Sequence, residues 1–188
     1  FALAANTTGS NNLALGAFAL DNNTTGSSNT AVGRAALDSN TTADNNTAVG
    51  RQALQANTTG DENVAVGPYC LDANTTGSQS TAVGYQALTS ATTGGDNDAF
   101  GRAAGHDITT GANNLCLGNL AGTSGGPNGA ITSNSNLIVI GNNSHTACSI
   151  KVSLTVTSDE RDKTDITDFT KGLDIINALR PVTYKWDM

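Results

Sequence analysis

The stretch NTTGSSNTAVGRAALDS, residues 23–39, is the unit from which most of this chain is built. Related copies follow one another at a spacing of 17 residues without insertion, as one glycine in each copy shows: Gly16, Gly33, Gly50, Gly67, Gly84, Gly101 and Gly118. Such strict internal periodicity predicts a stack of similar units, each in contact with its two neighbours.

Each copy combines a short β-forming run with turn residues. In the run Thr-Ala-Val of residues 30–32, alternation puts the threonine and the valine on one face and the alanine on the other. The glycine that follows ends the run, and Asn-Thr-Thr-Gly is typical of a turn. A helix-pair solenoid needs about 33 residues or more per repeat. We therefore predict an all-β solenoid or β-roll of 17-residue repeats over residues 1–122, with the Ala-Leu pair of each copy as a second short strand or a single helical turn.

The repeats offer little apolar material for a core. Each supplies one valine or leucine, a further leucine and two alanines, whose burial is worth about 3–6 kcal/mol, less than the cost of ordering 17 residues. Asparagine also recurs once per copy, which predicts hydrogen-bonded ladders along the stack: Asn12, Asn29, Asn46, Asn63, Asn97 and Asn114, with Ser80 in the remaining copy. We expect an obligate oligomer, because burial between subunits would supply the missing stability. A disordered Asn/Thr/Gly-rich chain is the weaker alternative, since disorder needs no regular apolar positions.

Composition excludes several functions. The chain has 13% charged and 4% aromatic residues and a net charge of −7. Its repeats contain few arginines and no lysine, which argues against nucleic acid as a partner. No apolar run approaches the roughly 20 residues of a membrane span, so we expect no membrane insertion.

No cofactor or metal site is predicted. Asp96, Asn97 and Asp98 could ligate calcium, but they occur in one copy and are better explained as a polar turn. His106 and His145 lack neighbours at metal-ligand spacing.

Cysteines and sequons have plain explanations. Cys70 and Cys116 stand where other copies have alanine, which indicates small buried residues rather than a disulfide framework. The periodic turn explains five Asn-Thr-Thr sequons better than glycosylation does: Asn6, Asn23, Asn40, Asn57 and Asn74.

One column of polar and aromatic residues is a candidate contact surface. Arg34, Arg51 and Arg102 share a register position with Tyr85, so they form an outward stripe. We weigh this stripe as a contact for a surface glycan against the simpler interpretation of a solvated face.

The pattern changes near residue 123. Residues 123–157 are predicted to contain a Gly/Ser/Asn-rich loop at 123–135, then the closing strands NLIVIG at 136–141 and a strand at 149–157. Residues 158–188 begin a small α+β domain, with a charged segment, a helix at 170–179 ended by Pro181, and a strand at 182–186.

Two resemblances carry functional implications. The motif SxNTAVGxxAL resembles the Ala-Val-Gly repeats of trimeric phage fibres and is similar in kind to the β-roll heads of trimeric autotransporter adhesins. The segments SDERDKTDI at 158–166 and LRPVTYKW at 179–186 resemble the start of the endosialidase-type intramolecular chaperone domain. That resemblance implies trimerisation, assistance to folding of a β-rich stem, and self-cleavage between Thr157 and Ser158. Ser158 would be the nucleophile and Lys163 its base, whereas the plainer interpretation makes both residues solvated loop positions.

These observations lead to one functional hypothesis with two alternatives. The chain is predicted to be a structural part of a homotrimeric tail fibre or appendage of a virion, folded in the host cytoplasm. It would contact other tail proteins and present a host-attachment surface, with no activity beyond single-turnover self-cleavage. The first alternative is a trimeric adhesin head at a bacterial cell surface, and the second is a glycan-degrading tailspike.

Overall fold

The computed structural model describes residues 1–125 and 129–146. It contains eight parallel strands of three residues each: β1 (Leu13–Leu15), β2 (Thr30–Val32), β3 (Thr47–Val49), β4 (Val64–Val66), β5 (Thr81–Val83), β6 (Asp98–Phe100), β7 (Leu115–Leu117) and β8 (Ile138–Ile140). The strands form one sheet in sequence order, and the described residues contain no helix. The prediction of an all-β solenoid is confirmed. The strand at 149–157 and the domain that begins at 158 lie outside the described residues, so the division of the chain into three parts stays a prediction.

The register follows the sequence period. Ala31 pairs with Ala48, and Ala48 with Ala65, so each coil places its strand beside the equivalent strand of the next coil. Between β7 and β8 the offset between partners grows from 17 to 23 residues. The longer connection contains the stretch predicted as a loop, and the run NLIVIG provides β8, the last strand among residues 1–125 and 129–146.

The core is narrower and less apolar than the sequence suggested. The middle residue of each strand points inward, and we call this set the inner alanine column: Ala14, Ala31, Ala48, Ala65, Ala82, Ala99, Cys116 and Val139. A stack of leucines fills the other side of the core, and we call it the leucine column: Leu20, Leu37, Leu54, Leu71 and Leu88. The expectation that each repeat buries its strand valine is wrong, because Val49 and Val66 lie on the outer face of the sheet.

The Ala-Leu pair forms neither a strand nor a helical turn. Leu37 and Leu54 have a φ of 52°, in the left-handed region that side chains other than glycine rarely adopt. This backbone turns each leucine into the core at the corner of the coil, where it is fully buried. Burial of an entire leucine side chain, worth about 1.5–3 kcal/mol, offsets the 1–2 kcal/mol that the left-handed conformation costs.

Two asparagine ladders run through the interior. In the ladder that contains Asn29 and Asn46, each side-chain oxygen accepts a hydrogen bond from the backbone N–H one coil later, with Asn46 N donating to Asn29 Oδ1 at 2.9 Å. The predicted ladder is therefore confirmed, although its bonds join side chains to backbone. A second ladder consists of Asn6, Asn23, Asn40, Asn57 and Asn74, in which Asn40 Nδ2 donates to Asn23 Oδ1 at 2.8 Å. Buried amides thus replace apolar side chains at a low cost, because their bonds are made.

Candidate interface on the outer face of the sheet

The outer face of the sheet is built from the first and third residues of every strand. We call the first residues the outer threonine column: Leu13, Thr30, Thr47, Val64, Thr81, Asp98, Leu115 and Ile138. We call the third residues the outer valine column: Leu15, Val32, Val49, Val66, Val83, Phe100, Leu117 and Ile140. The two columns together are the outer strip, which spans eight parallel strands and is therefore about 34 Å long.

The outer valine column is apolar throughout, whereas the outer threonine column also carries three threonines and Asp98, and both columns are exposed or half-buried in the single chain. Every member of the outer valine column is aliphatic or aromatic, and Val66 and Phe100 remain 37% and 41% exposed. The strip lies wholly within the described residues, and Asp98 is its one ionisable side chain. Soluble monomers rarely leave a continuous apolar patch of this size uncovered, and such a patch is typical of a protein interface.

The outward stripe of Arg34, Arg51, Tyr85 and Arg102 follows the glycines that end the strands and borders the outer strip, and we call this stripe together with the adjacent Tyr69 the Arg/Tyr column. The guanidinium carbon of Arg51 lies 5.2 Å from the centroid of the Tyr69 ring, which is the geometry of a cation–π contact. The rings of Tyr69 and Tyr85 meet edge to face at a centroid distance of 6.0 Å. Because Tyr85 itself is 44% exposed, the column presents aromatic and cationic groups side by side at the margin of the strip.

Burial raises the pKa of three groups elsewhere on the coils, namely two thiols and one carboxyl group. Cys70 and Cys116 are buried and free, and desolvation raises the pKa of each thiol to about 11. Both thiols therefore stay protonated near neutral pH, as expected of small core residues that replace alanine. Desolvation and the nearby charge of Asp21 also raise the pKa of Asp38, against an opposing influence from Arg34.

The predicted sites have different outcomes. Ser158 and Lys163 lie outside the described residues. Asp96, Asn97 and Asp98 do not converge, since the Asn97 side chain is buried in a ladder. Within residues 1–125 and 129–146, no group of three or more His, Cys, Asp or Glu side chains is arranged to hold a metal ion. In the same residues no helix has the length and apolar character to cross a membrane.

The second asparagine ladder explains the sequons. Asn40 and Asn57 are 0% exposed, and each amide nitrogen donates to the preceding ladder oxygen and to a backbone carbonyl. Their amides are not accessible to a glycan in the folded coil, so the repeated Asn-Thr-Thr motif is structural, as the turn interpretation expected.

Sequence reasoning missed the outer strip as the main candidate site. The signal was present in the repeat itself, because residues larger than valine occur at its position, as in Leu15, Phe100 and Leu117, whereas the middle strand residue is never larger than valine. A position that faces a narrow coil interior would not accept a phenylalanine, whereas an outward position accepts one readily. The substitution pattern therefore distinguishes the outer valine column from the inner alanine column.

Comparisons with known proteins add one finding about the remaining chain. Residues 158–187 match the family described as chaperone of endosialidase. This chaperone segment coincides with the stretch in which SDERDKTDI and LRPVTYKW indicated the same resemblance. The repeats are outside the match. No curated protein and no solved structure matches the chain.

Proposed function

We propose that this chain is a structural segment of a homotrimeric viral tail fibre or appendage, in which the outer strips of three copies pack against one another. The observation that carries the proposal is the outer valine column, which is apolar at all eight strands and is exposed at five of them and half-buried at the other three in the single chain. A core of alanine, one leucine per coil and asparagine leaves each chain short of buried apolar area. Packing of the strips would supply that area along the whole stack.

The chaperone segment supports the assignment to a virion appendage. Residues 158–187 match the family described as chaperone of endosialidase, and the resemblance noted in the sequence implies trimerisation and assistance to the folding of a β-rich stem. A trimeric adhesin head of a bacterial surface protein is the alternative, since it would use the same coils and the same strip. The match to the chaperone family favours the virion over the cell surface.

The assembled stem would extend and present a host-attachment surface. Outside the outer strip, Arg51, Tyr69 and Tyr85 offer a guanidinium group beside two aromatic rings. Aromatic faces and paired donors are suited to the apolar faces and hydroxyl groups of a sugar. We propose a host-surface glycan as the ligand of this column and other tail proteins as partners along the fibre axis.

Replacing Val66 with aspartate is expected to convert the trimer into monomers or aggregates, because it would put three buried charges into the strip. Thr42→Asp is the matched control, since Thr42 is an exposed turn residue outside the strip. Native mass spectrometry at micromolar concentration measures the assembly state. A parent chain that is a well-folded monomer at that concentration would contradict the proposed trimer.

Self-cleavage is a second candidate activity, favoured by a chaperone match that begins at residue 158. The hydroxyl of Ser158 would attack the carbonyl of Thr157, with Lys163 accepting the hydroxyl proton and returning it to the Ser158 amine as the Thr157–Ser158 peptide bond breaks. Water would then hydrolyse the resulting ester, which leaves a carboxylate on Thr157 and releases the stem. Intact mass of the full-length product tests this directly. Cleavage predicts the loss of everything after Thr157 in the parent protein and an uncut chain for Ser158→Ala, whereas equal masses would reject the activity.

A further inference from the structure

A fibre built from near-identical coils faces a problem of register. Four successive members of the outer valine column are valine: Val32, Val49, Val66 and Val83. If one chain were displaced by one coil relative to its neighbours, three of these four layers would still pack valine against valine. Only the outermost coil at each end would lose its partner. The run alone therefore cannot specify one alignment of three chains.

The strand β6 interrupts this uniformity. Phe100 occupies the outer valine column one coil after Val83 and one coil before Leu117, and it pairs in register with both. Its side chain remains 41% exposed in the single chain, so the ring is accessible to other copies. In aligned chains three Phe100 rings would share one layer. A one-coil displacement would put a ring against Val83 or Leu117 and leave a void in one layer and crowding in the next.

The outer threonine column is a weaker source of register. It mixes threonine, valine, leucine and isoleucine, and it contains Asp98, two residues before Phe100 in the same strand. A column that accepts hydroxyl groups and a carboxylate suits the solvated margin of an interface, whereas the uninterrupted outer valine column suits its centre. Leu15, Leu117 and Ile140 also depart from valine in this column, but they are aliphatic and close to valine in size. Phe100 is therefore the residue that differs most from the layers beside it.

We propose that Phe100 sets the register in which copies of this chain align through their outer strips. This inference rests on the trimer proposed above, and the partner is a second and third copy of the same chain. We call Phe100 a size key, meaning a residue whose volume allows only one alignment of the chains. In a layer shaped for three phenyl rings, a valine would leave a void and a leucine would require rearrangement.

Disulfide reporters in adjacent coils measure the alignment. Two tagged chains are co-expressed, one with Val66→Cys and one with Val83→Cys, after Cys70, Cys116 and Cys148 are replaced with alanine. A disulfide requires Cα atoms about 4.4–6.8 Å apart, and one coil adds about 4.8 Å along the stack. Aligned chains therefore favour 66–66 and 83–83 disulfides, and a one-coil displacement favours the 66–83 disulfide.

Phe100→Val makes the layer of β6 identical to those before it. We expect it to preserve the trimer and to raise the share of the 66–83 disulfide several-fold. Adding Val49→Phe to that variant creates a size key at another layer and should return the share of the 66–83 disulfide to that of the parent. If Phe100→Val acted only by weakening the fold, the second substitution would not reverse its effect. A trimer whose disulfide pattern is unchanged by Phe100→Val would overturn the register role alone. A monomeric parent chain would overturn the proposed trimer and this inference with it.

Discussion

Alanine in place of Gly50 is expected to destabilise the protein by at least about 3 kcal/mol, because two independent costs coincide there. Gly50 has a φ of +141°, a conformation that residues with a side chain rarely adopt. A Cβ at this position would lie 2.5 Å from the carbonyl oxygen and 2.6 Å from the carbonyl carbon of Gly67 in the next coil. Both obstacles are backbone atoms within the stack, so the coils would have to separate to relieve the contact.

Gly129→Ala measures the cost of a positive φ in a place without a steric obstacle. Gly129 also has a positive φ, +69°, but a Cβ there would meet no atom within 4 Å. We expect this control to cost about 1–2 kcal/mol, the conformational part alone. Chemical denaturation of both variants and the parent at one chain concentration gives the comparison, since the stability of an oligomer depends on concentration. Equal losses for the two variants would show that coil spacing does not restrict Gly50.

A natural substitution already shows how sensitive coil spacing is. Ala43 stands in a second column of closely packed glycines, and the neighbouring bond from Thr41 N to Thr58 O is 3.3 Å long. The six equivalent bonds along the stack are 2.7–2.9 Å: Thr7–Thr24, Thr24–Thr41, Thr58–Thr75, Thr75–Thr92, Thr92–Thr109 and Thr109–Thr132. One methyl group is thus accompanied by a bond about 0.4–0.6 Å longer than its equivalents, at a position where φ is ordinary. A methyl group at Gly50 should disturb the spacing of the coils in the same way, and its cost in stability should be larger because φ is also unfavourable there.

The 17-residue periodicity made the fold predictable. The alternation of strand residues predicted which side chains share a face of the sheet, but it did not predict which face is the outer strip. A 17-residue spacing with turn residues in every copy is compatible with few architectures, and the strand residues 30–32 alternate as any strand must. Alternation does not say which face is inside, and general hydrophobicity favoured the valine face. The inside proved to be the alanine face, because a coil of 17 residues leaves room for little more than alanine, one leucine and hydrogen-bonded asparagine amides.

The corners of the coil could not be derived from local preference. Leu37 and Leu54 adopt left-handed backbone angles that leucine avoids in isolation, so propensity argued for a strand or a helical turn. Only the packing of each leucine on its neighbour in the next coil makes that conformation favourable, and such contacts between coils are invisible in a single repeat. The second asparagine ladder was missed for the same reason, since Asn23 and Asn40 have the sequence context of ordinary turn residues.

The end of the leucine column carries a paired substitution that a double-mutant cycle can test. In the coil after Leu88 the leucine position is Gly105, and the position three residues later is Ile108, which is fully buried. A Cβ on Gly105 would lie 2.7 Å from Leu88 Cδ2 and 3.2 Å from Ile108 Cδ1. The isoleucine therefore occupies space that the missing leucine would fill. The coil before it has the opposite arrangement, Leu88 with Ala91, and both of those residues are also buried.

Gly105→Leu alone is expected to cost about 2–4 kcal/mol, because the added side chain competes with Ile108 for one volume. Ile108→Ala alone should cost about 2–5 kcal/mol through the cavity that it leaves. The double variant copies the natural pair of Leu88 and Ala91, so its loss should fall short of the sum of the single losses by at least about 2 kcal/mol. Denaturation midpoints of the four proteins measure this coupling. Additive losses would mean that the two side chains do not share a space, and that each coil tolerates its own substitutions independently of the leucine column.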